Sequence, residues 1–118
     1  MESILTSVKD ALGVPEKYTQ FDKQIIMHIN SVFTTLTQLG VGPSTGFFIE
    51  DDSAEWTDFI SDLTKLHAVK TYIYLKVRLV FDPSSLGSAT LASYERQIQE
   101  LEWRLNVIAE TENTNETT

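Results

Sequence analysis

Three residue patterns in this chain could do chemistry: two histidines, a cluster of carboxylates and a glycine-rich loop. His28 and His67 fall on separate predicted helices and outside any His-Glu-x-x-His arrangement. With no cysteine in the chain, nothing completes a zinc set. Glu50, Asp51, Asp52, Glu55 and Asp58 would suit calcium only with the alternating ligands and closing glutamate of a calcium loop. They read instead as a solvated turn that caps a helix. Gly40-Val41-Gly42-Pro43-Ser44-Thr45-Gly46 resembles a phosphate loop only on the surface. Such loops follow a strand, open a helix and usually carry a lysine, whereas here a helix precedes, Pro43 removes an amide and no lysine is present. A Ser-His-Asp triad lacks the strained Gly-x-Ser-x-Gly turn that would support it. Asn115-Glu116-Thr117 matches a glycosylation acceptor, but the N-terminus has no basic start and apolar block, so the match reads as chance. The expectation is a protein that is not an enzyme, with no catalytic, cofactor-binding or metal-ligating residues and no cofactor.

The elements that would position side chains are helices. The chain has 118 residues, 42% of them hydrophobic, which suits one core in one domain. No apolar run approaches the ~20 residues that cross a bilayer, so no membrane partner is expected. The absence of cysteine fits a reducing compartment. Spacing predicts a helix from about Ser3 to Leu12, with Ile4, Leu5, Val8, Ala11 and Leu12 on one face and Gly13 as its stop. A second begins after Thr19, whose hydroxyl can cap it, and buries Ile25, Ile29, Val32, Phe33, Leu36 and Leu39. A turn-rich stretch follows, in which Phe47-Phe48-Ile49 forms a short strand or hairpin arm. An Asp52-to-Glu55 spacing then caps a short helix through Trp56, Phe59 and Ile60, and core packing is the default for Trp56. The next helix, about Thr64 to Phe81, is apolar on two faces, so it is either central in its domain or half of an intermolecular contact. The fold class is therefore mainly α: a small bundle of about four to five helices with a short hairpin or extended loop near residues 41–52. Residues 1–109 form one domain, and residues 110–118 are polar and acidic enough to form a disordered tail.

The last helix carries the most information. Leu91, Tyr94, Ile98, Leu101, Leu105 and Ile108 recur three and four residues apart and make one apolar seam along a helix about 30 Å long. Trp103 projects from the opposite side, among Arg96, Gln99, Glu100 and Asn106. A large aromatic is costly to leave wet and is enriched in interface hot spots. The pattern predicts a protein that works by contacting other proteins. The net charge of −8 argues against gripping nucleic acid, since nine Lys and Arg are scattered among seventeen acids. The one modest basic cluster is Lys70, Lys76 and Arg78. On side-chain chemistry the candidate contact residues are Trp103, Arg96, Glu100 and Arg104 on the last helix, Tyr74 and Arg78 on the two-faced helix, and Phe47 and Phe48 in the loop.

Three stretches carry a family resemblance over residues 20–108. They are Asp22-Lys23-Gln24-Ile25-Ile26-Met27-His28-Ile29-Asn30-Ser31-Val32-Phe33 leading into Leu39-Gly40-Val41-Gly42-Pro43, then Tyr72-Ile73-Tyr74-Leu75-Lys76-Val77-Arg78-Leu79-Val80-Phe81-Asp82-Pro83, then Tyr94 through Asn106. Together they resemble the head–tail connector (adaptor, or head-completion) proteins of long-tailed bacteriophages. The resemblance implies a structural protein of the virion, at the head–tail interface of the capsid vertex, assembled in the host cytoplasm. It implies a homo-oligomeric ring, commonly a dodecamer, under the portal protein, which extends the DNA channel without binding DNA specifically and docks the stopper or tail-completion protein. The alternative from the residues alone is a small helical binding module or regulator that acts as a monomer or dimer through its C-terminal helix.

Overall fold

The computed structural model describes the backbone of residues 2–116 and their side chains except those of Leu63 and 111–116. Five helices follow one another: α1 (Ile4–Leu12), α2 (Asp22–Gln38), α3 (Trp56–Phe59), α4 (Leu63–Val80) and α5 (Ser88–Glu116). No strand occurs among the described residues. The Phe47–Ile49 segment is a loop, tied down by one side chain: Asn30 on α2 donates to the Ile49 carbonyl at 2.9 Å and accepts from the Ile49 amide at 2.8 Å. That clamp satisfies the Ile49 amide and carbonyl without a partner strand, so of the short hairpin or extended loop expected near residues 41–52 it is the loop that forms.

Local chemistry sets the helix ends. Ser3 caps α1 by accepting from the Thr6 amide at 3.3 Å, and Gly13 ends it in the left-handed conformation at φ 80°. Thr19 does not cap α2. The residue before that helix is Phe21, which makes no side-chain cap, and Asp22 in the first turn faces Lys9 instead. The cap expected from Asp52 to Glu55 moves one turn on. Asp51 accepts from the Ser53 amide at 2.8 Å, so the chain turns there, and Asp58 accepts from the Glu55 amide at 2.8 Å to open α3.

α4 is the centre of the domain. It packs against α1, α2 and α5, and Leu66, Val69, Tyr72, Ile73, Leu75 and Val77 are all buried. Its two apolar faces are thus both used within the chain, and its β-branched second half stays helical to Val80. Trp56 is 1% exposed and donates from Nε1 to Ser7 Oγ at 2.8 Å, so α3 acts as a bolt across the α1 end of the core. Between α4 and α5 the Tyr72 hydroxyl donates to Glu102 Oε2 at 2.7 Å. Burial first, and the Glu102 carboxylate second, push the Tyr72 phenol well above its ordinary range. Tyr72→Phe is expected to cost about 1–1.5 kcal/mol at neutral pH by urea denaturation. The folded state holds the proton more tightly than the unfolded one. The advantage of Tyr72 is therefore complete below the ordinary phenol pKa of about 10 and shrinks as pH rises past it. A difference that grew at high pH would contradict this.

α5 has 29 residues, about 43 Å at 1.5 Å per residue, against a longest molecular extent of 48 Å. It runs the length of the molecule and continues past Glu110, over residues expected to be an unstructured tail; Thr117 and Thr118 lie outside the described residues. Its seam holds at Ile98 and Leu105 but then steps to Ala109, leaving Ile108 38% exposed. A straight helix at 3.6 residues per turn drifts off a 3.5-residue seam, and without a supercoiling partner the buried line follows the drift.

Candidate functional site

Trp103 stands on the outer face of α5, opposite Leu105, and is 67% exposed. Neither α1 nor the 40s loop folds over it. Helical spacing places Arg96, Gln99 and Val107 along the same face, and Val107 is itself 38% exposed. Glu100 and Arg104 are exposed beside it and pair with each other at 2.6 Å. Arg96 is exposed, and among the described residues nothing pairs with it. This face offers one indole, an aliphatic neighbour and one uncommitted cation.

A second exposed surface lies on α2 and the loop that Asn30 clamps. Phe48 is 66% exposed and Met27, one turn before Asn30, is 62% exposed. Between the loop and α2 runs a cleft of about 340 Å³ lined by Asn30, Thr34, Thr37, Gln38, Phe47 and Phe48. The acidic run Glu50, Asp51 and Asp52 follows immediately and is exposed. Hydrogen bonds from Ser53 hold the Asp51 carboxyl below the usual carboxylate range. Sequence reasoning missed Met27, although it lies off the buried face of α2 just as Trp103 lies off the seam of α5.

The other expected contact residues sit within the fold. Phe47 is half-buried and stacks edge-on to Phe33 at 5.0 Å and against Phe59 at 5.3 Å. Arg78 donates to the carbonyls of Phe81 at 2.7 Å and Asp82 at 2.8 Å, and to Ser85, so it fastens the α4–α5 connection. Tyr74 is half-buried with its ring 6.4 Å from that of Tyr94 on α5. A further aromatic chain went unread in the sequence: Tyr18, Phe21 and Phe81 meet edge to edge at 5.5 and 5.6 Å at one end of the bundle. Their contacts join the α1–α2 connection to the end of α4, which periodicity within one helix does not reveal.

The basic cluster on α4 is engaged internally as well. Lys70 pairs with Glu2 at 2.6 Å and lies over the Trp56 ring, while Lys76 lies over the Tyr72 ring. With Arg78 fastened to backbone, these cations do not form an open phosphate-binding patch. His28 is half-buried on α2 and His67 is exposed on α4. Among the described residues, no three His, Asp or Glu side chains gather as a metal site would require. No helix among them is long and apolar enough to cross a membrane.

The geometry is that of a helical body with two exposed surfaces that carry large apolar side chains, Trp103 on α5 and Met27 with Phe48 on α2 and its loop. Comparison with curated proteins and with solved structures gives no match. The model of the phage connector protein family, by contrast, matches residues 4–112, which takes in all five helices up to the last turn of α5. The chain belongs to the phage connector protein family, whose role is structural.

Proposed function

We propose that this connector assembles as a ring beneath the portal at the capsid vertex, extends the DNA channel and presents a platform to the stopper or tail-completion protein. It is made in the host cytoplasm and ends in the virion, as one of about twelve subunits in the closed ring that the family resemblance implies. The observation that carries this reading is Trp103, the most exposed large apolar side chain among the described residues, fixed on a rigid helix whose other side is already buried. Surfaces of that kind mark protein contacts. Arg96, Glu100 and Arg104 rim the contact, and Phe48 belongs to the second surface; Phe47, Arg78 and Tyr74 hold the two surfaces in place from within. The net charge of −8 and the internal engagement of the α4 cations suit a channel through which DNA slides without being held.

The test is native mass spectrometry of the chain over a concentration series, alone and with its portal, for the wild type and Trp103→Ala. A closed ring is expected for the wild type. Trp103→Ala should weaken each contact by at least ~2 kcal/mol, about thirtyfold, enough to abolish the ring. Its unfolding free energy should change by less than about 0.5 kcal/mol, as for other exposed sites. A tight dimer that no portal converts to a ring would sink the proposal in favour of a helical binding module.

A further inference from the structure

We infer that the ring contact is a knob in a cleft: Trp103 of one copy seats between α2 and the clamped loop of a second copy, beside Phe48. This rests on the ring reading above and names the surface that receives the indole. Head-to-tail contacts need two different faces on each subunit, so that using one of each leaves the others free for the next copy. The α5 face and the α2–loop cleft are two such faces, carried by helices that each pack on α4.

Size and chemistry match. A closed cavity of roughly 150 Å³ admits a benzene ring, so a cleft of about 340 Å³ has room for an indole. Indole needs apolar walls and one acceptor for its N–H, because it is a donor only. Phe47 and Phe48 supply the walls. The acceptors are the α2 threonines, whose hydroxyl protons are already committed. Thr34 donates to the Asn30 carbonyl at 3.1 Å and Thr37 to the Phe33 carbonyl at 3.0 Å, which leaves their oxygen lone pairs for a donor from outside.

Charge matches too. Arg96 stands two turns from Trp103 on the knob face without an intramolecular partner among the described residues. Glu50, Asp51 and Asp52 follow the loop that walls the cleft and are exposed. A copy docked by its indole brings an unpaired cation toward an acidic rim. Two copies meeting knob to knob would leave both acidic rims unmatched.

The chain has no cysteine, so contact can be trapped cleanly. The variant carrying Gln99→Cys beside the knob and Thr45→Cys at the cleft edge is treated with a flexible bismaleimide at millimolar protein. A ladder of covalent oligomers is expected. Adding Trp103→Ala, or Thr34→Arg to block the cleft, should reduce the ladder at least about tenfold. Mixing the knobless chain with the cleft-blocked chain should restore covalent dimers and nothing longer, because each then keeps one working face. If the ladder persists unchanged through both substitutions, subunits associate through other surfaces, and the knob-in-cleft contact is wrong while the ring stands. If no cross-link forms, the contact is wrong; if the only product, with the portal as without it, is a dimer joined at the Gln99→Cys position of both chains, both the contact and the ring reading fail.

Discussion

Replacing Lys9 by methionine is expected to destabilise the fold by about 3 kcal/mol, a fifth or more of what a domain of this size has. The Lys9 side chain is only 3% exposed and meets the Asp22 carboxylate at 2.8 Å. Its ammonium also donates to the carbonyls of Glu16 at 3.0 Å and Tyr18 at 2.8 Å. One buried cation thus gathers the connection between α1 and α2 and anchors the first turn of α2. Methionine fills much the same space, so the loss is electrostatic: a carboxylate 25% exposed keeps its charge and loses its partner. Removing one member of a buried pair costs about 3–5 kcal/mol, and the partial exposure of Asp22 places this case at the lower end. Exchanging both members for apolar residues, Lys9→Met with Asp22→Leu, should be milder than Lys9→Met alone. Urea denaturation of the single and double variants decides it, and a single-variant loss below about 1 kcal/mol would mean that water replaces the ammonium.

Gly42→Ala is expected to cost about 2–4 kcal/mol, from backbone conformation and from collision together. Gly42 sits at φ 85°, where a side chain is strained, and a Cβ there would stand 2.7 Å from Phe59 Cζ. Phe59 cannot retreat. It is 3% exposed, with its ring centroid 4.7 Å from that of Phe33 and 5.3 Å from that of Phe47. The comparison variant is Gly13→Ala, at φ 80° but with nothing near its Cβ, which should lose only about 1–2 kcal/mol. Equal losses in thermal melts of the two variants would remove the collision from the explanation. Since Phe47 also walls the cleft on α2, Gly42→Ala should disturb that cleft as well.

The helices were legible because their seams obey one period, and α1, α2 and α4 lie within a residue or two of the positions their apolar spacing predicts. Trp103 was legible for the complementary reason, since a side chain that breaks the seam declares itself. What the sequence hid were contacts between distant segments. Nothing local marks Asn30 as a clamp on Ile49, nineteen residues away, or Lys9 as the anchor of Asp22. Arg78 and Phe47 also have contacts that their residue types alone do not announce. Their chemistry suits an interface, and the fold shows in addition that a turn engages Arg78 and an aromatic stack engages Phe47. The last helix outran its expected end because residues 110–116 extend α5 despite a composition poor in apolar anchors.

The central position of α4 bears on how assembly proceeds in time. Because its buried face is walled by α1, α2 and α5 of its own chain, each protomer is complete before it meets another. Association is then the docking of rigid bodies, with no ordering of the helical core left for the encounter. In the proposed ring, subunits would add at rates set by collision and orientation rather than by folding, and a wrongly seated subunit would leave intact and try again. The proposed ring, if built by such reversible steps, would correct its own errors until it closed.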